Sequence, residues 1–257
     1  MRVSHACPRG LPAAAGLACL LLATVGLGAA GLPGQPAEAG SPAATPSAAA
    51  AAWDKAAARY AAGLAWKPYR LFITNRELGA DGESLSTEEL EYALIYAKDS
   101  ELPVSELVRA IKDGRDVTEE RRKSPRGGMG GPGGQQGGPG GSFPDPLPFA
   151  PVNKDKLVRG AARAAGAEGF EFGYEIRGKP GVVGALRFDS GGAPLGLRYS
   201  LAPLPIYLAA FDGEYAFGSA PDGSLVASEL SFAVRAKVLF IEKRFNFRIR
   251  FGDWRKR

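Results

Sequence analysis

Beyond residue 19 this chain contains no cysteine and no histidine. Cys7, Cys19 and His5 all sit at its amino terminus. Once that segment is removed, as its composition predicts below, the remainder can build no disulfide, no Cys/His zinc site, no Ser-His-Asp triad and no Cys-His pair. Carboxylates are then the strong acid–base groups left, and the fold must be held by its own core or by a partner. The glycine-rich stretch "GGMGGPGG" at 127–134 is followed by no Gly-Lys-Ser/Thr, which excludes a phosphate loop. Charge of one sign is also scarce. Setting aside Arg2, Arg9 and Glu38 leaves 30 basic against 26 acidic residues, a net of +4. That is weak ground for nucleic-acid binding, and no nucleic-acid partner is expected.

Residues 1–39 read as a secretory signal. Arg2 and Arg9 supply the positive start, "LPAAAGLACLLLATVGLGAAGL" (11–32) the apolar stretch, and "AEA" (37–39) the small-x-small cleavage pattern. Cleavage after Ala30 stays open, as does an uncleaved anchor. Acylation at Cys19 is disfavoured, because apolar residues run on past it and Gly16 stands where a larger aliphatic residue is usual. The expected location is the periplasm, with membrane anchoring by an uncleaved amino-terminal segment as the alternative.

Low-complexity composition marks two further segments. Residues 40–52, "GSPAATPSAAAAA", read as a flexible spacer, and the Gly/Pro-rich 126–148 as a disordered loop that buries almost nothing. The parts they leave, 53–125 and 149–257, are each small for an independent core. They are expected to form two halves of one sheet within a single domain, 53–257, with the Gly/Pro run looping between neighbouring strands.

Within the first part, Trp53, Ala57, Tyr60 and Leu64 recur at helical spacing and predict a helix over 52–66. A strand over 69–78 and a turn at "GADG" (79–82) follow. "STEELEYALIYAKD" (86–99) fits either a helix opened by a Ser86/Glu89 capping box or a strand alternating Leu90, Tyr92, Leu94 and Tyr96; the strand is preferred. Residues 104–114 read as a strand and 116–123 as a short helix with Thr118 as N-cap. The second part is nearly all strand signal: 169–178, a hairpin over 182–201 turning at Gly191 and Gly192, 207–219, 225–236 and the closing strand. The prolines of "LAPLPIYL" place it at an edge or a link. The fold class is mainly β (α+β), an antiparallel meander on short helices.

From Arg244 the closing strand alternates strictly. Phe245, Phe247, Ile249 and Phe251 fall on one face; Arg244, Asn246, Arg248 and Arg250 fall on the other.

The Trp-led helix, the hairpin "RELGADGESLSTEELEYAL", "KDGRDVTEERRK" (112–123), and the end "FIEKRFNFRIRFGDW" together resemble a group of secreted bacterial proteins. Their sheets are similar to the outer-membrane lipoprotein-sorting (LolA/LolB-like) fold. The resemblance implies a curved, incompletely closed antiparallel barrel around a helix, with an inner face that accommodates acyl chains. The Gly/Pro insert departs from the sorting chaperones.

Expected lining residues are Tyr207, Phe217, Phe232, Phe245, Phe247, Ile249 and Phe251, either as a ligand groove or as an ordinary core packed on a helix. Arg244, Arg248 and Arg250, joined by Arg255, Lys256 and Arg257, either meet anionic headgroups or an acidic partner, or form a solvated face. A membrane-spanning barrel is set aside, because several of the strands counted are too short or too charged on the second face. The carboxylates in 86–91 and 118–123 fit glycoside chemistry by type, yet sit at exposed positions. The expectation is therefore a non-enzymatic envelope protein, peripheral to the membrane at most, with no cofactor and no metal. It binds a lipid or lipidated protein; the alternative is a structural or scaffolding envelope protein with a filled core.

Overall fold

The computed structural model describes residues 46–98, 103–123, 145–165, 169–238 and 241–257. The expected signal segment and residues 126–144 of the Gly/Pro run lie outside the described residues. In chain order the elements are α1 (Pro46–Gly63), β1 (Trp66–Leu78), β2 (Ser84–Ile95), β3 (Val104–Lys112), β4 (Arg115–Asp116), α2 (Thr118–Lys123), β5 (Leu157–Ala164), β6 (Gly169–Ile176), β7 (Gly181–Asp189), β8 (Pro194–Ala202), β9 (Leu208–Ser219), β10 (Leu225–Val238) and β11 (Ile241–Lys256).

All eleven strands join one antiparallel sheet in the order β4-β3-β2-β1-β11-β10-β9-β8-β7-β6-β5. Every neighbour is a sequential hairpin partner except at the centre, where the first strand pairs with the last. That pairing sets Leu71 against Phe251, Ile73 against Ile249 and Asn75 against Phe247, so the two alternations face the same way. The strands flanking the Gly/Pro run, β4 and β5, are thus the two edges of the sheet. The expectation that this run links neighbouring strands is corrected: it connects opposite edges. The strand preferred for 86–99 is present as β2, which begins at Ser84 and ends at Ile95, short of Tyr96.

Helix α1 starts earlier than expected. Ala49, Ala52, Trp53 and Ala56 recur three or four residues apart and are buried, so part of the stretch read as a spacer is the core-facing stripe of a helix. Its small side chains permit close packing: a Cβ at Gly192 would lie 3.0 Å from the Ala52 Cβ. The helix stops at Gly63 because its end meets β10; a Cβ at Gly63 would lie 1.9 Å from the Leu225 carbonyl oxygen. Trp66, expected in the helix, instead opens β1.

Residues 145–148, read as the end of the disordered run, are packed. Leu147 is buried, and buried Asn153 donates from Nδ2 to the carbonyls of Asp145 (2.9 Å) and Leu147 (2.8 Å). Strand β5, "LVRGAARA", was not expected at all; small and basic residues give it almost no β signature. At α2 the predicted cap changes hands. Asp116 Oδ1 accepts the Thr118 N–H (2.9 Å), while Thr118 Oγ1 accepts the Ala110 N–H (2.9 Å) on β3. The Arg122 guanidinium donates to the carbonyls of Leu107 and Val108, so α2 seals part of the β3 edge.

Candidate apolar binding face

Cross-strand register decides which side chains share a face. Ile249 lies opposite both Ile73 and Leu230, Leu230 opposite Tyr215, and Tyr215 opposite Leu197. The ring-bearing side of β11 is therefore the side on which α1 lies. Phe232, Phe245, Phe247, Ile249 and Phe251 come together there. Phe232 stacks on Phe247 (4.8 Å between centroids) and on Phe211 (5.9 Å), and Phe247 meets Phe245 (6.0 Å). Tyr207, in the β8–β9 link, and Phe217, against Tyr215 at 5.6 Å, pack on the cluster beneath α1. All seven expected lining residues are half-buried.

Coverage of this face is uneven. Helix α1 packs on β10 and β5. Under it, Trp53 meets Phe149 (5.0 Å) and Phe172 (5.2 Å), and Phe170 stacks on Phe188 (5.1 Å). Two tyrosines lie across glycines of the neighbouring strand: Tyr174 opposite Gly184 and Tyr199 opposite Gly213. Burial pushes the hydroxyls of Tyr174, Tyr199 and Tyr215 well up and that of Tyr60 to about 12, with the Asp145 carboxylate adding to each. The surrounding protein raises Asp145 too, partly offset by the N–H of Leu147. This half is filled.

Towards β1, β2 and β11 the core thins to a second cluster. Leu71, Ile73 and Leu94 are buried, with Leu90, Tyr92, Tyr96, Ile249 and Phe251 half-covered around them and no helix residue among them. Polar groups border this patch on the same face. Glu77, opposite Phe245, pairs with Lys243 at 2.6 Å, and Glu88, opposite Asn75, pairs with Arg121. Between the two pairs, Asn75 Oδ1 is buried and receives no hydrogen bond. Sequence reasoning missed Asn75, Glu77, Lys243 and Arg121, and met Glu88 only as one of the exposed carboxylates of 86–91. Parity could have found Asn75 and Glu77, which follow Leu71 and Ile73 at steps of two.

Arg244, Arg248 and Arg250 occupy the opposite face and are engaged within the protein, whereas Arg255, opposite Lys67, falls on the side of Leu71 and Phe251. Arg244 pairs with Glu242 (3.1 Å), Arg248 pairs with Glu229 (3.1 Å), and Arg250 lies over the Phe72 ring at 5.6 Å. At the chain end Arg255 pairs with Asp253 and lies over Tyr69, Lys256 pairs with Asp222, and Arg257 lies over Tyr96. Of the clustered carboxylates, Glu91 pairs with Arg70, Glu119 with Arg122 and Glu120 with Arg115. Among the described residues no group of three His, Cys, Asp or Glu is placed to hold a metal ion, and no helix is long and apolar enough to cross a membrane.

No family model matches the chain, and no curated protein matches it. Among solved structures it is similar to MucB, from the crystal structure of MucB in complex with MucA(peri). Identity is 10% over 79% of this chain and 98% of that one, with a TM-score of 0.17.

Proposed function

We propose that this protein binds an apolar ligand, a lipid or a lipidated protein, without catalysing a reaction. The binding face is the part of the sheet over β1, β2 and β11, beyond the strand β10 on which α1 packs, in a half-open, LolA-like arrangement within the periplasm. One observation carries the reading: Phe232, Phe245, Phe247, Ile249 and Phe251 share a continuous face that the helix leaves half-covered. Contiguous apolar surface left without a cover marks an interaction site. Anionic headgroups meeting Arg244, Arg248 and Arg250 are a subsidiary part of the proposal, weakened by the partners those residues already have.

The second reading, a scaffolding envelope protein with an envelope protein as its partner, is favoured by the filled half. Trp53, Phe149 and Phe172 leave that region closed-packed by the chain itself. Native mass spectrometry of protein purified from membrane extracts separates the two. Co-purified lipid, lost in the paired variant Phe247→Asp/Ile249→Asp and kept in Leu195→Asp on an exposed position, supports the first reading. Lipid-free wild-type protein supports the second.

A further inference from the structure

Asn75 stands where an apolar residue fits the pattern. Its strand runs Leu71, Ile73, Asn75 along the helix-bearing face, and its cross-strand partners are Phe247 on β11 and Glu88 on β2. Asparagine is a poor strand former. A buried acceptor without a partner is destabilising, and such groups in folded proteins call for a reason. Nearby polar groups do not supply one. Lys243 and Arg121 are turned to Glu77 and Glu88, and the two carboxylates offer acceptors, which an amide oxygen cannot use.

The residue as a whole is only half-buried, and the χ2 torsion of asparagine is soft. A half-turn about it exchanges the oxygen with the amide nitrogen, on the face that also carries Ile73, Ile249 and Leu90. We infer that Asn75 selects the ligand: it accepts a hydrogen bond from an N–H or O–H placed directly next to the ligand's apolar chain. An uncharged amphiphile joined through a secondary amide or carrying a hydroxyl meets this demand. An ester or a phosphate presents further acceptors at the same point, and does not. The inference rests on the apolar-ligand reading above and adds the chemistry of the ligand's first polar group.

A matched pair of probes tests it. N-decanoylglucamine carries an amide N–H; N-decanoyl-N-methylglucamine has the same chain and head with a methyl in its place. Binding of each to the full chain, below its micellar concentration, is followed by calorimetry for wild type and Asn75→Val. Wild type is expected to prefer the secondary amide by about 5- to 10-fold, the worth of one hydrogen bond. Asn75→Val abolishes the preference, keeps affinity for the N-methyl probe, and unfolds at the same or higher urea concentration, because the unpartnered acceptor is gone. Equal binding of both probes by wild type, or preference for the N-methyl probe, overturns the role of Asn75 and leaves the apolar-ligand reading standing. Failure of wild type to bind either probe removes both.

Discussion

The flat tyrosines give the sharpest test of the helix-bearing face. A Cβ built on Gly213 would lie 2.3 Å from two atoms of the Tyr199 ring and 2.8 Å from a third. Carbon atoms in contact sit about 3.5–4.0 Å apart, so Gly213→Ala must drive the ring off by about 1 Å or more. Tyr199 is 8% exposed and held against Phe211 at 5.6 Å, so it has little room to retreat. Overpacking of this kind costs about 1–3 kcal/mol. Alanine also restricts the unfolded chain more than glycine does, which returns about 0.4–1 kcal/mol. A net loss of about 1–2 kcal/mol is expected in urea unfolding, with unchanged slope. Gly173, on β6, has nothing within 4 Å of a built Cβ, so Gly173→Ala should be neutral or slightly stabilising. Adding Tyr199→Ala should remove most of the cost of Gly213→Ala, appearing as a coupling energy in the double-mutant cycle. If Gly213→Ala and Gly173→Ala unfold alike, the ring does not lie where the register puts it.

Three further outcomes follow from the same contacts. The surrounding protein raises the Asp145 carboxyl although its side chain still meets solvent, so the folded chain holds that proton more tightly than the unfolded one. Its contribution therefore grows as pH falls from neutral through the raised value, and is complete below the unfolded value of about 3.9. Asp145→Asn should be more stable than wild type at pH 7.5 with the gap narrowing by pH 5; a gap constant across that range refutes the assignment. Asp222 is the reverse case. Its carboxyl is held low by hydrogen bonds from Ser224, Trp66 and Lys256, so Asp222→Ala should lower the melting temperature at neutral pH. That difference should fade only as pH falls below the ordinary carboxylate range, and equal melting at pH 7 refutes it. Arg122→Ala unseals the carbonyls of Leu107 and Val108; light scattering should then detect association, and a monodisperse variant counts against edge protection.

Local alternation and turn chemistry made much of the sheet legible. The hairpin at Gly192 turns with Asp189 Oδ1 accepting the Ala193 N–H at 2.7 Å, as its Asp-Ser-Gly-Gly sequence suggested. The aromatic face of β11 followed from parity alone. Non-local choices were not legible. Nothing between residues 66 and 78 says that this strand meets the last one, because register is fixed only when two matching faces are placed side by side. The alanine-rich start of α1, before Trp53, was mistaken for a spacer, since its burial depends on a sheet that small side chains can approach. The polar members of the site were hidden for a related reason: Glu77 and Glu88 look solvated until Lys243 and Arg121 arrive from distant positions.

Geometry explains why one half is filled and the other left half-covered. Eleven strands spaced about 4.8 Å apart present a face about 48 Å wide, whereas an 18-residue helix is about 27 Å long. Part-way along it Ala52 meets Gly192 in the β7–β8 turn, and its last residue, Gly63, meets Leu225 at the start of β10. Its contacts reach β5, through Trp53 and Asp54 beside Arg159, and β10. Lengthening it forward is blocked, because Gly63 already touches backbone and Trp66 is committed to β1. The apolar side chains of β1, β2 and β11 therefore depend for further burial on something other than α1, and replacing Gly63 with a larger residue should disturb the filled half without covering the other.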